Sequence, residues 1–162
     1  MGENSLATQY LTFVLDNEAF AVDVARVREI LEYTSVTRVP KTQKYMRGVI
    51  NLRGSVVPVV DMRMLFGLSE ADTTVNTCII VMETAVDGSA LVFGALADSV
   101  REVMELDPSQ IEPAPKIGSS IKTEFINGMG KYNSEFIMIL NIDKMLPAEA
   151  PHLIEEMAET ES

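Results

Sequence analysis

RGVINLRGSVVPVVDMRMLFG, residues 47 to 67, decides the fold. It reads as two short apolar strands around a glycine turn, followed by one helical turn. Val49, Ile50 and Leu52 make the first strand, and Arg53-Gly54-Ser55 carries the reversal. Val56, Val57, Val59 and Val60 make the second strand, and their β-branched side chains fit a pleated, buried surface. Pro58 has no N–H to donate, so that strand either lies at an edge or turns that position away from a partner. Asp61 stands where an N-cap belongs, with Met62, Leu65 and Phe66 on the buried side of a short helix that Gly67 ends.

A second copy of this unit lies further along the chain. Displaced by 80 positions, Gly48 falls on Gly128, Val56-Val57 on Phe136-Ile137 and Val59-Val60 on Ile139-Leu140. The cap Asp61 falls on Asn141, and Leu65-Phe66 on Met145-Leu146. Upstream, Val27 to Glu32 resembles Val100 to Glu105 at a displacement of 73. The consistent order of the two matches predicts two related β lobes. Many short strands without long crossover helices suit small barrels better than a parallel sheet.

The remaining segments are read from turn and period signals. Residues 1 to 7 are expected to be a disordered lead. Tyr10 to Leu15 and Ala19 to Val22 form a hairpin around Asp16-Asn17. Asp23 is expected to cap a short helix with Val24, Val27, Ile30 and Leu31 at helical spacing. Thr34 to Val39 is expected as a strand, and Lys41 to Met46 as a helical turn. Leu68 to Asn76 is a loop, while Thr77 to Met82 and Ala90 to Ala97 are partners across Val86 to Ser89. Val100 to Leu106 is a strand, IEPAPKI is extended, and Glu124 to Gly130 reads as a glycine-rich turn before the strand Phe136 to Leu140. Residues 8 to 147 thus form the domain, and residues 148 to 162 an acidic tail with Leu153, Ile154 and Met157 on one helix face.

Composition narrows the function. The 162 residues are 47% hydrophobic and 23% charged, as in an ordinary soluble domain, and carry a net charge of −11. That charge repels nucleic acid and anionic membrane surfaces. No apolar run reaches the roughly 18 to 20 residues of a membrane span. The N-terminus has neither the basic nor the apolar region of a signal peptide. Cys78, the single cysteine, reads as a buried, inert thiol. The one histidine, His152, has no base or orienting partner in sequence reach. No metal, phosphate-loop or nucleophile motif is present, so the expectation is a binding protein, not an enzyme, with no cofactor.

The motifs GVINLRG, VVPVVDMR and LFG, with FAVDVARVREIL, LADSVREVMEL, IEPAPKI, FINGMG and ILNIDKML, resemble the CheW family of chemotaxis coupling proteins. The resemblance runs from about residue 9 to 147. It implies an all-β fold with short helices, in which two SH3-like, five-stranded barrels sit side by side. It also implies a scaffold that couples transmembrane chemoreceptors to the histidine kinase CheA. One partner would be the kinase's regulatory domain and the other the cytoplasmic tip of a receptor. By motif position, Val27, Glu29, Ile30, Val100, Ile126 and Gly128 match receptor docking, whereas Gly48, Arg53 and Val103 match kinase and receptor coupling. The implied protein is cytoplasmic, recruited to the inner membrane face through receptor arrays, and monomeric when free. A scaffold of a chemosensory system for surface motility or gene regulation is the alternative.

The residues themselves leave several roles open. Val27, Ile30, Leu31, Val100 and Val103 suit either core packing or docking. Gly48 and Gly128 suit either a positive-φ turn or close approach by a partner. Arg53 suits either a turn anchor or an interface ion pair.

Overall fold

The computed structural model describes residues 7–39, 42–86, 88–113 and 125–160. Residues 1 to 6 of the expected lead, most of the IEPAPKI segment and the last two residues lie outside them. Eleven strands and three α-helices follow in order: β1 Thr8–Leu15, β2 Glu18–Asp23, β3 Val27–Glu32, β4 Met46–Leu52, β5 Ser55–Asp61, α1 Met62–Leu65, β6 Cys78–Val86, β7 Ser89–Ala97, β8 Ser99–Leu106, β9 Ile111–Glu112, β10 Ile126–Tyr132, β11 Glu135–Leu140, α2 Ile142–Met145 and α3 Ala150–Thr160. One sheet, lobe A, runs β8-β1-β2-β11-β10-β9, and the other, lobe B, runs β3-β6-β7-β5-β4. The chain therefore starts in lobe A, crosses to lobe B at β3 and returns at β8.

The internal repeat holds residue by residue. Met46 faces Val60 and Gly48 faces Val59 around a bulge in β4; Ile126 faces Leu140 and Gly128 faces Ile139 around a bulge in β10. Each second strand then pairs in parallel with the other half of its sheet, β5 with β7 and β11 with β2. Asp61 N–H bonds the Tyr45 carbonyl at 2.7 Å, and Asn141 N–H bonds the Phe125 carbonyl at 2.8 Å. Lobe A has six strands where five were expected, because Ile111–Glu112 joins as β9. Its counterpart in lobe B is only the bridge between Thr37 and Val49, which is all that forms of the strand expected over Thr34 to Val39.

Local chemistry explains the turns. Asp16-Asn17, Arg53-Gly54 and Asn133-Ser134 are two-residue hairpin loops with positive φ at both positions. That geometry matches the right-handed twist of the flanking strands, and Asn, Asp and Gly adopt it most readily. Asp61 Oδ1 accepts the N–H groups of Arg63 and Met64 at 3.0 and 3.4 Å, so α1 begins there. Its other oxygen takes Arg47 at 2.9 Å, which pairs the charge where it is buried. Pro58 lies in an interior strand, so its placement follows the second of the two options. Val49 directs its N–H and C=O to Thr37, leaving the facing Val49–Pro58 pair without ladder bonds.

Two further expectations fail. Asp23 does cap a turn, accepting Ala25 N–H at 2.8 Å, but the helix is one 3-10 turn over Val24–Arg26. Val27 onward is β3, paired with β6. Val27, Glu29 and Leu31 turn inward while Arg28, Ile30 and Glu32 turn outward, so Val27, Ile30 and Leu31 fit a helical spacing only by coincidence. The turn expected over Glu124 to Gly130 does not form across its described residues either, because its glycines stand inside β10. Gly128 is buried at a bulge, and a Cβ on Gly130 would lie 2.7 Å from Leu106 Cδ1. Glycine here permits close packing within a strand.

Three apolar clusters result. Each curled sheet encloses a small one: Met104, Leu106, Ile137 and Ile139 in lobe A, and Ile50, Val57, Val59, Ile79, Val81 and Leu96 in lobe B. The largest lies between the sheets and draws on both, with Phe13, Phe20, Phe66, Phe93, Met82 and Met138 among its members. Several strands are thus buried on both faces, which is why β5 reads as a continuous apolar run and not an alternating one. Helix α3 packs on β5 and β7, and its Ala150, Ile154 and Met157 complete the shared cluster. The Tyr45 hydroxyl donates to Glu149 at 2.7 Å beside its start. Burial and the Glu149 charge push the Tyr45 phenol up, and the same bond holds Glu149 below its ordinary range.

Candidate interaction surface

β3 and β8 are the outermost strands at matched ends of the two sheets. Each exposes one large apolar residue, Ile30 at 44% and Val103 at 53%, and the two overlay at the displacement of 73. Charged residues flank both: Arg28 and Glu32 on β3, and Arg101, Glu102 and Glu105 on β8. Charges on an outer strand guard it against indiscriminate strand addition. Apolar residues left within such a setting are then available to a specific partner.

Lobe B adds a groove of about 560 Å³ between β3, the β4–β5 hairpin and α3, lined by Arg28, Glu29, Arg53, Val56, Leu91 and Ile154 among others. Arg53 reaches across it and forms a fork-like pair with Glu29, one contact at 3.3 Å and the other shorter. The hydrogen bonds from Arg53 hold the Glu29 carboxyl below its ordinary range and raise the guanidinium in turn. Arg28 pairs with Glu83 at 2.7 Å alongside. Arg53 stands at a tight turn, with φ +51, and its guanidinium is spent on an exposed pair with Glu29 of the same chain. Surface pairs of this kind contribute little to stability. Arg53→Ala is expected to leave the thermal midpoint almost unchanged, which a melt of the purified protein checks.

The other candidates separate by depth. Val27 and Val100 are half-buried and pack on the shared core. Ile126 is 7% exposed and belongs to that core outright, while Gly128 and Gly48 are buried in their strands. These three present little surface in the isolated chain, unlike Ile30 and Val103. The close approach to the glycines comes from this chain itself. A Cβ on Gly48 would overlap the Thr37 carbonyl, and one on Gly128 would lie 2.9 Å from the Glu112 carbonyl oxygen. Gly48 additionally has φ +146.

Residues not singled out from the sequence also face solvent. In lobe A, Tyr132 and Phe136 are exposed, Lys131 Nζ lies 6.0 Å from the Phe136 ring centre, and Arg101 pairs with Glu135 at 3.2 Å. Phe136 overlays the half-buried Val56, a match that contained the signal: an aromatic ring replaces a smaller residue at a strand start. Cys78 is only partly buried, not enclosed, and burial pushes its thiol up. His152 is exposed, with Glu156 3.5 Å away. Among the described residues no group of three or more His, Cys, Asp or Glu could hold a metal ion, and no helix is long and apolar enough to cross a membrane.

Comparison with known proteins agrees with this architecture. A family model described as a CheW-like domain matches residues 9–150. "Chemotaxis protein CheW" of Klebsiella aerogenes is 32% identical over 156 residues, covering 96% of this chain and 92% of that protein. The protein of the same name from Rhizobium meliloti is 32% identical, covering 87% and 88%. The crystal structure of the scaffolding protein TtCheW from Thermoanaerobacter tengcongensis superposes with a TM-score of 0.76 at 30% identity, covering 87% of this chain and 88% of that one. Two curled sheets with an internal repeat, carried by a sequence this similar along nearly its whole length, place the chain in one group: it belongs to the CheW-like family.

Proposed function

We propose that this chain is a chemotaxis adaptor that couples transmembrane chemoreceptors to the histidine kinase CheA. The observation that carries the reading is the pair Ile30 and Val103, large apolar residues exposed at matched positions on the outer strands of two lobes. Family membership supports it, since the relatives are named as chemotaxis proteins and one as a scaffolding protein. Ile30, Glu29 and the rims of Val27 and Val100 would meet the receptor tip, whose helical hairpin suits an apolar groove with a charged edge. Arg53 and Val103 would serve coupling to the kinase regulatory domain. Gly48, Ile126 and Gly128 would act from inside, by holding the strands that present these side chains.

The mechanism is geometric and non-enzymatic. A monomer in the cytoplasm binds both partners and so raises the concentration of each near the other. Receptor arrays would thereby hold it at the inner face of the membrane, and receptor state would reach the kinase as a difference in binding free energy between its active and inactive arrangements. The test is co-sedimentation with receptor-tip fragments and the kinase, reading autophosphorylation in parallel. Ile30→Asp and Val103→Asp should each weaken capture by at least about tenfold, as for a central apolar contact, while melting like the parent protein. Val27→Asp is a poorer probe, because it would bury a charge against the shared core. Full capture by both surface variants would sink the assignment.

A further inference from the structure

Two ion-pair clusters tie the lobes together. They occupy matched places in the internal repeat, and their charges are reversed. In the first, Arg63 on α1, which extends lobe B, donates to Asp98 from Nε and Nη2 at 2.9 and 2.7 Å. Asp98 stands in the crossover from β7 to β8 and also accepts the N–H of Asp16 at 2.8 Å, and Asp16 lies in the β1–β2 turn of lobe A. Arg63 Nη2 is 3.7 Å from Asp16 Oδ1. In the second, Asp143 on α2, which extends lobe A, accepts both forks of Arg26 at 2.9 and 2.8 Å. It also accepts the Thr84 hydroxyl, which is on β6 of lobe B. Arg26 stands in the other crossover, from β2 to β3.

Residue 63 falls on 143 at the displacement of 80, and residue 26 falls on 99 at 73, beside Asp98. One cluster therefore has the cation on the helix and the anion at the crossover, and the other has the opposite. We propose that this reversal dictates that unlike lobes pair, so that two copies of the chain do not dock like lobe on like lobe.

The apolar surfaces cannot make that choice. Leu11 and Phe13 face Val103 and Val100 as Ile80 and Met82 face Ile30 and Val27; with Met46 and Ile126, Val60 and Leu140, and Met62 and Ile142 they are matched pairs, and all ten residues lie in the shared core. Each lobe thus offers nearly the same apolar face, which would seat a lobe of either kind. Docking two A lobes in the native geometry would bring Asp143 of one against Asp98 and Asp16 of the other. Docking two B lobes would bring Arg63 against Arg26. Both arrangements put like charges where the native one has opposite charges, and discrimination of this sort comes from repulsion in the wrong pairing. In each conflict one member is the better shielded from water, Arg63 and Asp98 being 14% and 31% exposed against 38% and 50% for Arg26 and Asp143.

The double variant Arg26→Asp/Asp143→Arg tests the idea. It keeps opposite charges in the second cluster but gives that cluster the sense of the first, so like-lobe docking becomes complementary throughout. Wild type, both single variants and the double variant are unfolded in denaturant and refolded at low and high protein concentration. Mass is then read by size exclusion with light scattering, and stability by thermal melting. At low concentration each single variant should melt below wild type, and the double variant should recover most of the loss. At high concentration the double variant should form a dimer at least about tenfold more abundant than wild type does, and the dimer should survive dilution. Equal dimer fractions in the two proteins would overturn the proposal. So would single variants that melt like wild type, or a dimer that dissociates on dilution without unfolding, which would be mere surface association.

Discussion

Gly48→Ala is expected to cost on the order of 3 kcal/mol, combining a strained backbone with an overpacked contact. For a chain of this size that is a fall in thermal midpoint of roughly 6–12 °C. The cost has two sources. At φ +146 an L side chain is strained wherever it sits, and the added Cβ would overlap the Thr37 carbonyl and lie 2.8 Å from Val36 Cγ1. Thr37 cannot retreat freely, because it exchanges both backbone hydrogen bonds with Val49, at 2.9 and 2.8 Å. Gly128→Ala provides the comparison. It has the matched position without positive φ, and its Cβ would meet Ile111 Cγ2 at 2.8 Å and the Glu112 carbonyl oxygen at 2.9 Å, a milder clash than the overlap at Gly48. It should therefore lose less. Melting curves of the two variants decide the matter, and equal losses would mean that the bulge, not φ or the Thr37 contact, governs both sites. Partner binding lost in Gly48→Ala would then be a consequence of a disordered strand edge and not of a missing contact.

Phe20→Ala should cost more still, about 3–5 kcal/mol as for other buried aromatic truncations. Phe20 is fully buried on β2 and lies between Phe13 and Phe66, with both ring-centre separations 5.9 Å; Phe66 continues to Phe125 at 5.5 Å. The ring series passes from lobe A to lobe B and back, so the cavity would open between the lobes, where neither sheet can collapse alone. Phe136→Ala serves as the control, since its ring is half exposed and should cost far less. Denaturant titration of both gives the two free energies. A Phe20→Ala loss no larger than that of Phe136→Ala would show that the shared cluster does not hold the lobes together.

Much of the fold was legible in local pattern. The displacement of 80 predicted two related β lobes and matched the cap Asp61 with Asn141, whereas the bulges beside Gly48 and Gly128 came only with the structure. The legible features rest on interactions between residues close in sequence: positive φ in a two-residue loop, a carboxylate capping the next turn, β-branched residues filling a pleat. The errors came where one stretch supports two periods. Val27 to Leu31 satisfies a helical spacing and a strand alternation equally well, and only its pairing with β6 selects the strand. Gly128 and Gly130 look like turn residues until the neighbouring Glu112 and Leu106 show why no side chain fits there.

The candidate site was less legible. Ile30 and Leu31 are adjacent and alike in chemistry, yet one faces solvent and the other the lobe B core. Ile126 resembles a surface docking residue in sequence and is buried in fact.

What the sequence determined by itself was the first three hairpins, the caps at Asp61 and Asn141, the duplicated unit and the family resemblance. The tertiary structure alone decided that lobe A is assembled from both ends of the chain around lobe B, that α3 completes the core between them, and that Arg26 meets Asp143 and Arg63 meets Asp98. The reason is distance along the chain. A turn or a cap is settled by a few neighbouring residues, whereas the face a strand buries, and the charge it meets, depend on which remote strand lies beside it.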